Sequence, residues 1–187
     1  MTKMMNLLKS KRGLSNAVST LIILVVSVLL ATVVTYYAIN ITSTRVQEEA
    51  VNIQKMHVWV NNTVKEAAFV ITNTGGKDIL LDKIAVRGVE SAWTNVYYWK
   101  ATVTVTSDLA VGNYSNLTSI VVEGTARVFT QGSTDLHIAS GETFVIYIKD
   151  PDSITVNDVG TTVSLTVYTA NAEYLEESNV ESATPNP

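Results

Sequence analysis

The 187-residue chain sets 13 Lys plus Arg against 17 Asp plus Glu, a formal charge of −4, with 47% hydrophobic and 16% charged residues. That apolarity excludes a chain disordered throughout, and the absence of cysteine excludes a disulfide framework, thiolate zinc sites and cysteine catalysis. Lys3, Lys9, Lys11 and Arg12 all precede Leu14, and no acid occurs before Glu48. From Leu14 onward nine bases face 17 acids, a balance of −8, which argues against general nucleic-acid binding because that needs a concentrated basic surface.

No charged residue lies between Leu14 and Thr44, and neither Pro nor Gly interrupts residues 17–39. As a helix those 23 residues reach about 35 Å, enough to cross a hydrocarbon core of about 30 Å. The β-branched content would weaken this helix in water, but in lipid the backbone must satisfy itself, so helix is favoured. The basic cluster at one end predicts a cytoplasmic start and an exported body. Tyr36 and Tyr37, near the other end, suit an interface. A secretory signal peptide fits poorly, since its apolar region runs to about 7–15 residues and ends in a small-residue cleavage site. Ser15, Ser19, Ser27, Ala31 and Thr35 recur at multiples of four, along one slowly drifting face. Small side chains let helix backbones approach closely, so these five form a candidate packing face. Val46, Ala50, Ile53 and His57 continue a helical spacing, which predicts a helix over residues 14–56, about 64 Å long at 1.5 Å per residue.

Beyond residue 57 the period changes to two. Trp93, Tyr97, Trp99, Ala101, Val103 and Val105 alternate with Thr94, Tyr98, Lys100, Thr102, Thr104 and Thr106, which predicts a half-buried strand or two joined by a bulge. The same alternation runs through Phe144, Ile146 and Ile148, and through Val163, Leu165 and Val167. Further strands are predicted over 67–72, 79–86, 117–122 and 126–130. About seven short strands separated by turn residues point to an antiparallel β-sandwich over residues 57–175. Residues 176–187, polar and ending in Pro, are expected to form a tail. The fold class is therefore α+β: a long apolar helix carrying a β-sandwich, in the form of a lollipop.

Lys11-Arg12-Gly13 followed by Leu14-Ser15-Asn16-Ala17-Val18-Ser19-Thr20-Leu21-Ile22 resembles the class III signal peptide of archaeal type IV pilins and archaellins. Ile71-Thr72-Asn73-Thr74-Gly75-Gly76 leading into Ile79–Ile84 looks like a strand–turn–strand of these filament subunits, and Ser140-Gly141-Glu142 opening Thr143–Ile148 resembles a recurrent family strand. The resemblance implies an immunoglobulin-like sandwich and cleavage by a prepilin peptidase between Gly13 and Leu14, so that residues 1–13 are a leader. It implies partners too: further copies of the chain in a helical homopolymer, a pilus assembly ATPase with its membrane platform, and the cytoplasmic membrane before assembly. Bacterial type IV pilins carry a glutamate at the fifth mature position, where this chain has Val18, and archaellins commonly begin with a glycine-containing G-x-G-T-L-I segment that is missing here. The resemblance therefore favours an adhesion-type pilin of a cell-surface filament. The alternatives are an archaellin of a motility filament, a minor pilin, or a signal-anchored surface binding module.

Four N-x-S/T sequons, at Asn40, Asn61, Asn113 and Asn116, are candidate glycan acceptors if the body is exported. Asn113 and Asn116 share one expected loop and lead the four. Little else points to chemistry. His57 and His137 have no ligand-spaced neighbours, and Asp150, Asp152 and Asp158 lack the EF-hand spacing and its glycine. No G-x-S-x-G, P-loop or dinucleotide fingerprint occurs. Asn73-Thr74-Gly75-Gly76 reads as a turn needing positive φ, and Tyr97 and Trp99 as core rather than a sugar platform. The expectation is a structural protein: no enzyme, no cofactor, no metal site and no nucleic-acid partner.

Overall fold

The computed structural model describes residues 2–46, 48–112 and 117–183, with the backbone alone at 2–14, 45 and 46. It divides into two compact units, Met1–Arg45 and Val46–Pro187.

The first unit is one helix, α1 (Thr2–Val46). It stops well short of the expected limit at residue 56, because the residues assigned to its amphipathic end form β1 (Val51–Val60) instead. Val51, Ile53, Val58 and Val60 are β-branched and pair across to a second strand, which outweighs a helical spacing of only four positions.

Eleven more strands follow among the described residues: β2 (Lys65–Asn73), β3 (Ile79–Val86), β4 (Val89–Glu90), β5 (Val96–Lys100), β6 (Ser119–Val122), β7 (Thr125–Val128), β8 (Thr130–Gln131), β9 (Leu136–Ile138), β10 (Thr143–Lys149), β11 (Thr162–Thr169) and β12 (Glu173–Ser182). One sheet has the order β4-β3-β11-β12-β1-β2-β10-β5-β8, with β9 also on β3, while β6 and β7 form a separate hairpin. All its pairings are antiparallel except β1 with β12, which run parallel from Val58↔Val180 to Val60↔Ser182. The fold is thus α+β, an apolar helix and a mostly antiparallel sheet.

That sheet curls on itself. Val58, Phe69, Ile71 and Ile146 from one half pack in a single core with Leu81, Ile84, Leu165 and Val167 from the other. A second core lies on the outer face of β1, β2, β10 and β5, where Trp59, Ala68, Val70, Val145 and Tyr147 meet Leu109, Leu117, Ile120, Val122 and Phe129. Strands β2 and β10 are consequently buried on both faces, which their near-continuous apolar runs require.

Three expectations are corrected. Residues 176–182 belong to β12 rather than a tail, because they extend β11 across from Thr162↔Asn179 to Tyr168↔Glu173 and then reach β1; residues 184–187 lie outside the described residues. The alternating run 93–106 is a strand only at Val96–Lys100. Trp93–Asn95 is a 3-10 turn, and the ladder ends with Ala101 N–H donating to Thr143 O (2.8 Å), because β10 begins at Thr143. On β5 both faces are covered, Tyr97 and Trp99 packing against the outer core and Tyr98 against the inner one. Finally, positive φ occurs at Gly88, Gly124, Gly141 and Gly160 but not at Gly75 or Gly76. Gly75 is required by close approach instead: a Cβ there would stand 2.6 Å from both Ala50 N and Glu48 O.

Candidate membrane-spanning helix and the surface of the β-domain

Within α1, Ser15–Thr44 is a 30-residue stretch, exposed throughout, whose most apolar 18 residues have a mean hydropathy of 2.8. At 1.5 Å per residue it extends about 45 Å, more than a hydrocarbon core of about 30 Å. One helix among the described residues is thus long and apolar enough to cross a membrane. Six of its hydroxyls make no demand on the surroundings. Those of Thr20, Ser27, Thr32, Thr35, Thr42 and Thr44 donate to carbonyls one turn back at 2.7–3.1 Å, which satisfies them internally as an apolar medium requires.

A shallow apolar notch on this helix is lined by Val28, Ala31, Thr32, Thr35, Tyr36 and Ile39. Of the five candidate packing residues, Ala31 and Thr35 line it; Ser15, Ser19 and Ser27 do not. Each step of four residues turns the helix by about 40° beyond a full turn, so Ser19 stands about 160° around the axis from Thr35. The side chains of Lys11, Arg12 and Leu14, around the expected cleavage site at Gly13, lie outside the described residues.

Of the sequons, Asn113 and Asn116 lie outside the described residues. Asn40 is exposed on the apolar helix. Asn61 is half-buried in a turn: its side-chain oxygen accepts from Thr63 N (2.7 Å) and Val64 N (2.6 Å), while Nδ2, the atom a glycan would use, donates to Ala183 O at 3.1 Å.

Of the titratable residues in the sequence reading, His57, His137 and Asp158 fall into separate ion pairs. His137 lies 3.3 Å from Asp78. Asp158 meets Arg87 at 2.8 Å and accepts from Thr155, whose hydroxyl and backbone N–H, with Arg87, pull its carboxyl down to about 2. Among the described residues no group of His, Asp and Glu is arranged to hold a metal ion. A groove of about 520 Å³ on the outer face of the sheet is lined by Gln54, Thr72, Lys100, Thr102, Thr104 and Glu142 among others. Lys100 and Glu142 pair across it. Besides that pair it offers neutral hydrogen-bonding groups.

Two clusters were not foreseen. A β-bulge between Gln54 and His57, with Lys55 at φ 52°, inverts the alternation of β1. Val51 and Ile53 face the inner core before it and Met56, Val58 and Val60 after it, which turns His57 and Trp59 outward. The two rings stack at 5.1 Å and 3°. His57 Nε2 lies 2.8 Å from Asp108 Oδ1, its Nδ1 3.2 Å from Glu181 Oε1, and Trp59 Nε1 donates to Glu181 Oε2 at 3.0 Å. The bond to His57 holds the Asp108 carboxyl below its ordinary range.

The second cluster surrounds Glu66, which has no exposed surface. Its Oε1 accepts from Gly112 N at 2.8 Å, and its Oε2 has no partner among the described residues. Burial, opposed only by that one bond, pushes its carboxyl up to about 7. Neighbouring Tyr147 donates to Ala110 O (2.8 Å), and burial together with Glu66 raises its phenol above the usual range. The one available signal was a glutamate opening an apolar run too continuous for a half-exposed strand.

Neither the models of known protein families nor the curated proteins compared with this chain match it.

Proposed function

We propose that this chain is a structural subunit of an archaeal type IV pilus-like surface filament, inserted in the cytoplasmic membrane as a precursor, cut after Gly13 and assembled through its helix. The observation that carries the reading is Ser15–Thr44, an apolar helix with no part buried, set directly behind Lys11-Arg12-Gly13. Such a surface needs a covering, which lipid supplies before assembly and other copies of the helix after it. Lys11 and Arg12 would carry charge into that bundle at about 2.5–3.5 kcal/mol each on insertion scales. Removal of the leader by a prepilin peptidase therefore acts as the switch for assembly, and an assembly ATPase with its membrane platform drives extrusion. The exported β-domains form the surface of the fibre and serve attachment.

Intact-mass and amino-terminal analysis of material sheared from the cell surface tests this. The expected result is a chain beginning at Leu14 in a pelletable, high-molecular-weight fraction. A chain retaining Met1, found only in detergent-solubilised membranes, would overturn the reading and make the protein an anchored binding module. Fibres lost together with swimming would make it an archaellin.

The notch at Ala31 and Thr35 gives a sharper test. Ala31→Phe fills it, and overpacking costs about 1–3 kcal/mol at each contact, repeated in every subunit. The variant is expected to insert in membranes normally and to yield few or no fibres by electron microscopy; fibres at wild-type abundance would remove this face from the assembly contact.

A further inference from the structure

Residues 101–112 contain no helix or strand, yet they cover the outer core, with Leu109 buried and Val105 and Val111 partly so. Side chains hold them down. Lys55 Nζ donates to the carbonyls of Thr106 and Ser107. Glu123, at the tip of the β6–β7 hairpin, accepts from the backbone N–H groups of the same two residues. His57 holds Asp108, Tyr147 holds the Ala110 carbonyl, and Glu66 holds the Gly112 N–H. The segment is a strap fastened to the sheet largely by groups that titrate.

We propose that this strap is a pH-responsive cover, closed over the outer core in mild acid and released as the pH rises through neutrality. The fastening at Glu66 weakens in that direction. Glu66 is enclosed with one oxygen bare, a state suited to the neutral acid; the carboxylate calls for water at Oε2. Water can reach it by displacing the strap, since Gly112 sits so close that a Cβ there would be 2.5 Å from Oε1. The upward push that burial gives the Glu66 carboxyl agrees with this direction.

The groups facing Glu66 are few: Tyr147 and the cross-strand neighbour Lys149 from β10, the cross-strand neighbour Trp59 from β1, and Gly112 of the strap. The device depends only on the β-domain and holds whether or not the chain forms filaments.

Hydrogen exchange read by mass spectrometry on the full chain in detergent micelles tests it, comparing pH 5.5 with pH 8 after correction for intrinsic exchange chemistry. Protection over residues 104–112 is expected to fall about tenfold or more at the higher pH, while β11 keeps its protection at both. Glu66→Gln should lose most of this step. Wild-type protection equal within about twofold at the two pH values would overturn the proposal, as would an undiminished step in Glu66→Gln. If Glu66→Gln fails to protect β11, and so has not folded, the wild-type comparison alone decides.

Discussion

Glu66→Gln is expected to stabilise the β-domain at pH 8 by about 3 kcal/mol and to leave it nearly unchanged at pH 4. The sign follows from the raised carboxyl, at about 7 against 4.5 in the unfolded chain. Below about pH 4.5 both states hold the proton and folding costs nothing extra. Between about 4.5 and 7 the folded state keeps a proton that the unfolded state has released, so stability falls as the pH rises. Above 7 the carboxylate is ionised and the loss is complete, as desolvation or as the opening of the strap that admits water. Glutamine keeps the carbonyl that accepts from Gly112 N–H and carries no charge, so its curve over this window should be flatter than wild type by that amount. Denaturant unfolding followed by tryptophan fluorescence measures this, because Trp59, Trp93 and Trp99 all lie in the β-domain and none in α1. Parallel curves for the two proteins would show that Glu66 finds a compensating partner.

Asn73→Ala is expected to destabilise the same domain by about 3 kcal/mol at any pH. Asn73 ends β2 with no exposed surface. Its Nδ2 donates to Lys77 O (2.8 Å) and Ile138 O (3.1 Å), and its Oδ1 accepts from Gly75 N (3.0 Å). One amide thereby ties the turn after β2 to β9. Truncation takes the amide donor from two carbonyls, at about 1–3 kcal/mol for each that stays dry, while Gly75 N–H keeps its second bond, to Ala50 O (3.1 Å). Thr74→Ala is the control, since its hydroxyl makes only an exposed 3.3 Å bond to Ala50 O; it should shift the denaturation midpoint little. Equal midpoints for Asn73→Ala and Thr74→Ala would mean that water replaces the lost amide.

The helix was legible because a charge-free run long enough to span lipid needs no periodicity to be recognised. Strands with intact alternation were legible too: Ile79–Val86 matches expectation at both ends. Misreadings arose where the period broke. The bulge at Lys55 shifts the inward positions of β1 by one residue, so the segment matches a helical spacing as well as a strand. Val103 and Val105 continue the alternation of β5 beyond the point where a partner strand exists. In β12, Glu173, Glu176, Glu177 and Glu181 look solvated and are solvated; the strand is defined by backbone pairing, to which composition is blind. The hydrogen bonds of the Glu66 and His57 clusters join residues 37 to 124 positions apart in the chain, and no local pattern encodes such meetings.

The parallel pairing of β1 with β12 bears on how the domain comes to exist. Strand β12 follows all the others in the described chain, yet it sits mid-sheet and joins the half containing β3 and β11 to the half containing β1, β2 and β10. Until it has emerged, the two halves share no ladder, and the sheet must be closed by a contact spanning well over a hundred residues, from Val58 to Val180. Such topology has high contact order and is slow to close. A chain emerging in order behind α1 would therefore remain unlocked until almost the whole domain had appeared.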